Sequence, residues 1–198
     1  MEHTWLNKKE SSQFTPSPFA GSPSENRVES HGNSVYFYSG VSPEKIFEFN
    51  KHLRDVKSKF HLNEMSRINV YIHSYGGSVF SGASAMDTII ETSKVVPVRT
   101  VVEGAAASAA TFLSVVGTER VMQRHAYMLI HQLSSAFWGK YAEIKDEIEN
   151  LDRLMEMIRS VYKEYTKVPK SQLDKILKRD IWFDAETCLN YGMIDKII

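Results

Sequence analysis

From Gly104 to Ala110 every residue is Gly, Ala or Ser, and this run joins a β-branched stretch, Val98 to Val102, to the apolar cluster Phe112, Leu113, Val115 and Val116. The rest of the chain is organised around that junction. β-Branched side chains favour extended backbone, so Val98 to Val102 reads as a strand. The small residues are then expected to switch into a helix that buries the apolar cluster, leaving Ser108 at the turn. A helix N-terminus offers unpaired backbone N–H groups and positive partial charge, which suit an anion forming beside a serine oxygen. All-small neighbours let a substrate backbone come close. A sharp strand-to-helix turn carrying a nucleophilic serine is a known catalytic device, although the Gly-x-Ser-x-Gly form of it is absent. Close helix packing through Gly, Ala and Ser is the plainer use of the same residues.

The flanking pattern is α/β. Val35 to Tyr38 is β-rich, and Ser42-Pro43 supplies an N-cap and a first-turn proline for a helix with the stripe Ile46, Phe49, Leu53, Val56 and Phe60. Ile68 to Ile72 alternates as a strand and ends at the turn Tyr75-Gly76-Gly77, after which Val79, Phe80, Ala83, Met86 and Ile90 repeat at helical spacing up to Pro97. With the Val98 strand and the helix after it, this predicts a right-handed βαβα core. Further strands are expected at Val121-Met122 and at Tyr127 to Ile130, with His131 where the second one ends.

Tyr141 to Tyr165 is the longest helical pattern. Its Ile144, Ile148, Leu151, Met155, Ile158 and Tyr162 form a narrow heptad-like seam, flanked by Leu154, Met157 and Val161. Such a helix suits an intrachain core contact or a subunit interface. Val168-Pro169 breaks it, and Ser171 to Asp174 resembles a capping box for a short helix. Arg179 to Phe183 is expected to be extended, Asp184 to cap a helix from Ala185 to Tyr191, and Met193 to Ile198 to close the chain as a strand.

Residues 1–34 are rich in Ser, Pro, Glu, Asn and Gly without a face to bury, and read as a flexible polar arm in which Trp5, Phe14 and Phe19 are the only candidate anchors. Residues 35–198 read as one domain with one core. Lys+Arg and Asp+Glu are 24 each, so nothing points to nucleic acid. The single Cys188 rules out an internal disulfide framework and reads as a buried side chain. Gly104 to Thr118 is too short for a membrane span, and no signal peptide is evident, so a cytoplasmic location is expected. Neither Gly-x-Gly-x-x-Gly nor Gly-x-x-x-x-Gly-Lys-Ser/Thr occurs. No cofactor and no metal are expected.

Acyl transfer by serine needs a base for the hydroxyl proton, a carboxylate to fix the base's tautomer, and donors for the oxyanion. Ser108, His131 and Asp180 are the candidates for the serine, the base and the carboxylate. His131 is favoured over His73 and His125 because catalytic groups collect at strand ends in layered α/β domains. Asp174 and Asp184 remain alternatives to Asp180, both sitting where helix caps would use them. Gly76-Gly77 reads first as a plain turn, with presentation of the Gly76 or Gly77 N–H to an oxyanion as its functional alternative.

Five runs carry a resemblance: Tyr71-Ile-His-Ser-Tyr-Gly-Gly-Ser78, Gly104-Ala-Ala-Ala-Ser-Ala-Ala-Thr-Phe112, Met128-Leu-Ile-His-Gln132, Arg179-Asp-Ile-Trp-Phe-Asp-Ala-Glu186 and Asn190-Tyr-Gly-Met-Ile-Asp195. In that order and without large gaps, they resemble ClpP, the proteolytic subunit of the Clp protease. The resemblance implies a ClpP/crotonase-like spiral of repeated ββα units with a protruding handle helix at Tyr141 to Tyr165. It implies Ser108 as nucleophile, His131 as general base, Asp180 as the orienting carboxylate, and the N–H groups of Gly77 and Ala109 as oxyanion hole. It further implies heptameric rings stacked as a tetradecamer, unfolded polypeptide as substrate and a separate AAA+ ATPase as partner. Two positions depart from the family: Tyr75 and Leu133 stand where proline is usual, which leaves cleavage preference open. A longer polar arm replaces the family's axial gate. The same residues leave room for a specialised processing protease such as a viral one, a crotonase-like acyl-CoA enzyme, or a catalytically silent ring subunit.

Overall fold

A computed structural model describes residues 26–59 and 67–198. One seven-stranded sheet organises them, in the order β1 (Arg27–His31), β2 (Ser34–Tyr38), β3 (Ile68–Ser74), β4 (Val98–Ala107), β5 (Glu119–Met122), β7 (Lys196–Ile197), with β6 (Tyr127–Leu129) on the far end of β4. Only the β1–β2 hairpin is antiparallel; every other strand pair is parallel. Parallel neighbours need crossovers, and α1 (Pro43–Ser58), α2 (Val79–Ser93) and α3 (Ala110–Val115) supply the first three. The Ser42 side chain caps α1 by accepting from the Lys45 N–H, as its sequence predicts. In β3, Ile68, Val70, Ile72 and Ser74 are buried in strict alternation. Val35, Phe37, Phe49, Leu53, Ile72, Ile89 and Leu113 join the same core.

Arg27 to Ser34, read above as part of the arm, lie in the β1–β2 hairpin. Trp5, Phe14, Phe19 and Phe60 lie outside the described residues. The small-residue run does not start a helix at Gly104: β4 continues to Ala107, because after leaving β5 at Val102 it pairs Ala105, Ala106 and Ala107 with Tyr127, Met128 and Leu129 of β6. On α2 the buried face is Ser81, Gly82, Ala85, Met86 and Ile89 while Phe80 is 71% exposed. The reason is close packing: a Cβ on Gly82 would sit 3.0 Å from the Ala109 carbonyl oxygen, so this helix turns its smallest side chains toward α3. The closing strand is shorter than expected, confined to Lys196–Ile197.

Beyond the sheet, α4 (Tyr141–Tyr165), α5 (Lys170–Leu177) and α6 (Ala185–Asn190) complete the chain. The seam of α4 divides in two. Ile158 and Tyr162 are buried, whereas Ile144 and Ile148 are exposed. The predicted capping box at Ser171 does not form: α5 starts at Lys170 behind Pro169 with no side-chain cap, and Asp174 binds Arg159 at 2.8 Å instead.

Candidate active site

The β4–α3 junction places Ser108 at φ 55, and it is the single non-glycine residue with positive φ among the described residues. A side chain in that conformation costs about 1–2 kcal/mol, so the surroundings must hold it there. They do so through backbone groups. The Ser108 N–H donates to the Leu129 carbonyl at 2.8 Å, and the Ser108 carbonyl accepts from the Thr111 N–H at 3.0 Å and from the Thr111 hydroxyl at 2.6 Å. Gly76 fixes the other side. A Cβ there would fall 2.6 Å from both the Ala107 carbonyl oxygen and Ser108 Cβ, so only glycine lets the turn after β3 lie against the serine.

That turn is tied to β2's end by bonds from the Val41 N–H to the Gly76 carbonyl and from the Ser78 N–H to the Val41 carbonyl, both 2.8 Å. The Gly77 N–H between them donates to no group among the described residues, and neither does the Ala109 N–H at the start of α3. Both residues line the cavity into which Ser108 faces.

His131 and Asp180 meet just beyond an isolated bridge between β6 and the segment before α6. Met128 and Phe183 form an antiparallel bridge, with N–H to carbonyl distances of 2.9 and 2.7 Å. That bridge lays the segment after β6 beside the segment before α6, where His131 and Asp180 come together. Their side chains close at 2.9 Å, Nδ1 to Oδ1. The next residue is fixed too, by a bond from the Gln132 N–H to the Leu177 carbonyl at 2.6 Å. With Nδ1 engaged, Nε2 is the ring nitrogen left for other work.

Ser108 and His131 line one cavity of about 350 Å³, with Gly77 and Ala109 on its rim and Val79, Phe112, Leu133 and Ile158 as apolar wall. No hydrogen bond joins Ser108 to His131 in the isolated chain. Tyr75 walls the cavity off from a second one of about 330 Å³ and meets the Trp182 ring edge-on at 6.2 Å. The rival residues lie elsewhere. His73 is engaged with the backbone of Glu103 at 2.9 Å, and His125 is exposed in the turn between β5 and β6. Asp184 caps α6, its carboxyl held below the ordinary range by hydrogen bonds from Thr187, and Asp174 is held low by Arg159. Thr111, which the sequence does not single out, bonds the Ser108 carbonyl, and Tyr162, expected only as part of the α4 seam, reaches Thr111 with its hydroxyl at 2.7 Å. Among the described residues no group of three or more His, Cys, Asp or Glu side chains is placed to hold a metal ion, and no helix is long and apolar enough to cross a membrane.

The arrangement has known counterparts. Residues 57–198 match the family model described as Clp protease. The ATP-dependent Clp protease proteolytic subunit 3 of Streptomyces coelicolor is 34% identical over 135 residues, which are 66% of this chain and 60% of that protein. The proteolytic subunit from Porphyromonas gingivalis is 32% identical over 133 residues, 66% of this chain and 59% of its own. The chain thus spans about 60% of the length of these curated relatives. A solved structure of a ClpP1 point mutant from Listeria monocytogenes superposes with TM-score 0.72 at 25% identity, covering 84% of this chain and 91% of that one. The mixed α/β layering, the mostly parallel sheet and the matched sequence agree, and the chain belongs to the Clp protease family of proteolytic subunits.

Proposed function

We propose that this chain is a serine endopeptidase in which Ser108 attacks the peptide carbonyl, His131 Nε2 takes the hydroxyl proton, and Asp180 holds the imidazole in the tautomer that can do so. The tetrahedral oxyanion takes hydrogen bonds from the Gly77 and Ala109 N–H groups. His131 then returns its proton to the departing amine, and water repeats the sequence to release the acyl group. The observation that carries this reading is the meeting of a strained serine turn with a carboxylate-bound histidine around one cavity. The two N–H groups beside the serine, without a partner among the described residues, support the oxyanion role, since donors of this kind contribute about 3–4 kcal/mol each to such a transition state.

The cavity's apolar wall suits an unfolded polypeptide with apolar side chains. We further assign the chain to stacked heptameric rings that enclose their active sites in the cytoplasm, with any unfolding work done by a separate AAA+ ATPase. The exposed apolar start of α4 supports a partner copy at that helix.

Replacing Ser108 by Ala should abolish both peptide hydrolysis and labelling by a fluorophosphonate. Persistent labelling at another serine rejects the assignment. The missing Ser108–His131 hydrogen bond favours a second reading, a catalytically silent ring subunit. Catalytic hydrogen bonds are often long before substrate binds and shorten in the loaded enzyme. Labelling of the wild-type assembly at Ser108 excludes the silent reading; a folded, assembled chain that never labels supports it.

A further inference from the structure

Behind the serine turn lies a relay that the reaction itself does not use. The Thr111 hydroxyl is 2.6 Å from the Ser108 carbonyl oxygen and 2.7 Å from the Tyr162 hydroxyl. A carbonyl can only accept, and a threonine hydroxyl carries one proton, so Thr111 donates to Ser108 and must accept from Tyr162. The phenol therefore donates. Its environment agrees, since Tyr162 is buried and burial raises its pKa, keeping the proton on oxygen. Thr111 is fully buried and Tyr162 is 1% exposed, while Ser108 itself borders the cavity. Tyr162 belongs to the inner end of α4, and its ring packs against Phe112 on α3 at 6.2 Å between centroids.

We propose that Tyr162 and Thr111 are positioning residues for the nucleophile: the phenol orients the threonine hydroxyl, which pins the Ser108 carbonyl and so keeps the serine in its positive-φ turn. The inference rests on the serine-peptidase reading and adds to it the residues that hold the nucleophile ready. The physical need is plain. Ser108 occupies a conformation that a non-glycine residue leaves unless held, and its carbonyl is the one group there that takes two hydrogen bonds from a single residue. Deleting the relay leaves the nucleophile present and lowers the fraction of time it is aimed into the cavity. That change reduces acylation without weakening substrate binding.

The test uses the full chain in its assembled form. The rate of fluorophosphonate labelling at Ser108 and peptide kinetics are measured for Thr111→Val, Thr111→Ser, Tyr162→Phe and the pair Thr111→Val/Tyr162→Phe. Hydrogen exchange of the Thr111 amide, which donates to the Ser108 carbonyl, is followed alongside. Thr111→Val should slow labelling and kcat by roughly ten-fold while KM moves less than about two-fold. Thr111→Ser should restore the rate, and Tyr162→Phe should slow it by about three- to ten-fold. The pair should be no slower than Thr111→Val alone, because both changes cut one relay. The Thr111 amide should exchange faster in Tyr162→Phe. Unchanged labelling and unchanged exchange in folded Tyr162→Phe and Thr111→Val overturn the proposal, as does full additivity of the pair. A wild-type chain that is unreactive at Ser108 overturns the peptidase reading instead, and the exchange measurement alone then decides whether Tyr162 holds the turn.

Discussion

Phe183 is bridged to Met128, 55 residues away in sequence, by two backbone hydrogen bonds, and beside this bridge Asp180 meets His131 at 2.9 Å. The Asp180 side chain is 79% exposed, so its pairing with His131 is a matter of orientation far more than of stability. Two substitutions separate the contributions. Asp180→Asn should lower kcat of peptide hydrolysis by about 10³–10⁴-fold, as loss of the tautomer-fixing carboxylate does elsewhere, with the melting temperature unchanged. Phe183→Pro removes the N–H that donates to the Met128 carbonyl and should impair hydrolysis with Asp180 still in place. Full activity in both variants, measured on one fluorogenic peptide, would dissociate Asp180 from the chemistry.

A glycine-to-alanine change tests the turn from the other side. At Gly76 the backbone has φ +93, and an added Cβ meets the Ala107 carbonyl and Ser108 Cβ at 2.6 Å. Neither neighbour is the free end of a flexible side chain. Gly76→Ala should cost about 1–3 kcal/mol in a urea titration and should slow Ser108 labelling by more than that destabilisation removes from the folded population. A variant that is destabilised yet labels at the wild-type rate would show that the Gly76 approach serves only the fold.

How much of this was legible beforehand follows from the kind of signal each feature leaves. The β3–α2–β4 unit shows in the alternation of Ile68, Val70 and Ile72 and in the β-branched run that opens β4, because one buried face imposes a period. The alanines of β4 mislead for the same reason: alanine has the highest helix propensity, and only pairing with β6, itself distant in sequence, overrides it. Phe80 fits the helical spacing of α2 as any large apolar residue does, yet α2 packs through Gly82 against Ala109 and leaves Phe80 exposed. Ser108 was visible because its neighbours are uniformly small. The Thr111–Tyr162 contact was not, since two hydroxyls 51 residues apart leave no periodic trace.

The C-terminal anchor gives a pH test. Arg120 holds Asp195 through its guanidinium and its own N–H, and also donates to the Gly192 carbonyl at 2.8 Å, fastening the segment before β7 to β5. The side-chain hydrogen bond from Arg120 holds the Asp195 carboxyl below the usual carboxylate range. A folded-state pKa below the unfolded one, about 3.9, means that the stabilisation is present above that value and is lost as pH falls through the folded pKa. Asp195→Asn should therefore be less stable than wild type at pH 7, and the gap should close as the pH of a urea titration drops below about 4. A gap that persists undiminished in acid would assign Asp195 a packing role instead.

Cys188 behaves in the opposite sense. It is fully buried beneath Phe183, and burial, with the charge of Asp184 next, pushes its thiol up to about 12. The thiol is the neutral form, so between an unfolded pKa near 8.5 and that value unfolding releases a proton, and stability should fall by about 1.4 kcal/mol per pH unit. Iodoacetamide at pH 8 should leave the native thiol intact and alkylate it promptly in urea. Rapid alkylation of the native chain would mean that the α6 segment opens locally, far below the global unfolding energy.

The last prediction concerns the half of the α4 seam that its own chain leaves uncovered. Tyr141, Ile144 and Ile148 are exposed along the first turns, and Ile148 is 55% accessible, while Ile158 and Tyr162 at the other end are sealed into the core. A single helix thus carries an outer apolar stretch left exposed and an inner one bonded to the serine turn. If the outer stretch is where two rings meet, as proposed above, a charge there should act on assembly and leave the subunit folded. Ile148→Lys should keep the helical circular dichroism and the stability within about 0.5 kcal/mol, as surface substitutions do, yet shift the native mass from stacked to single rings. Wild-type mass in Ile148→Lys would move the ring contact away from this face of α4.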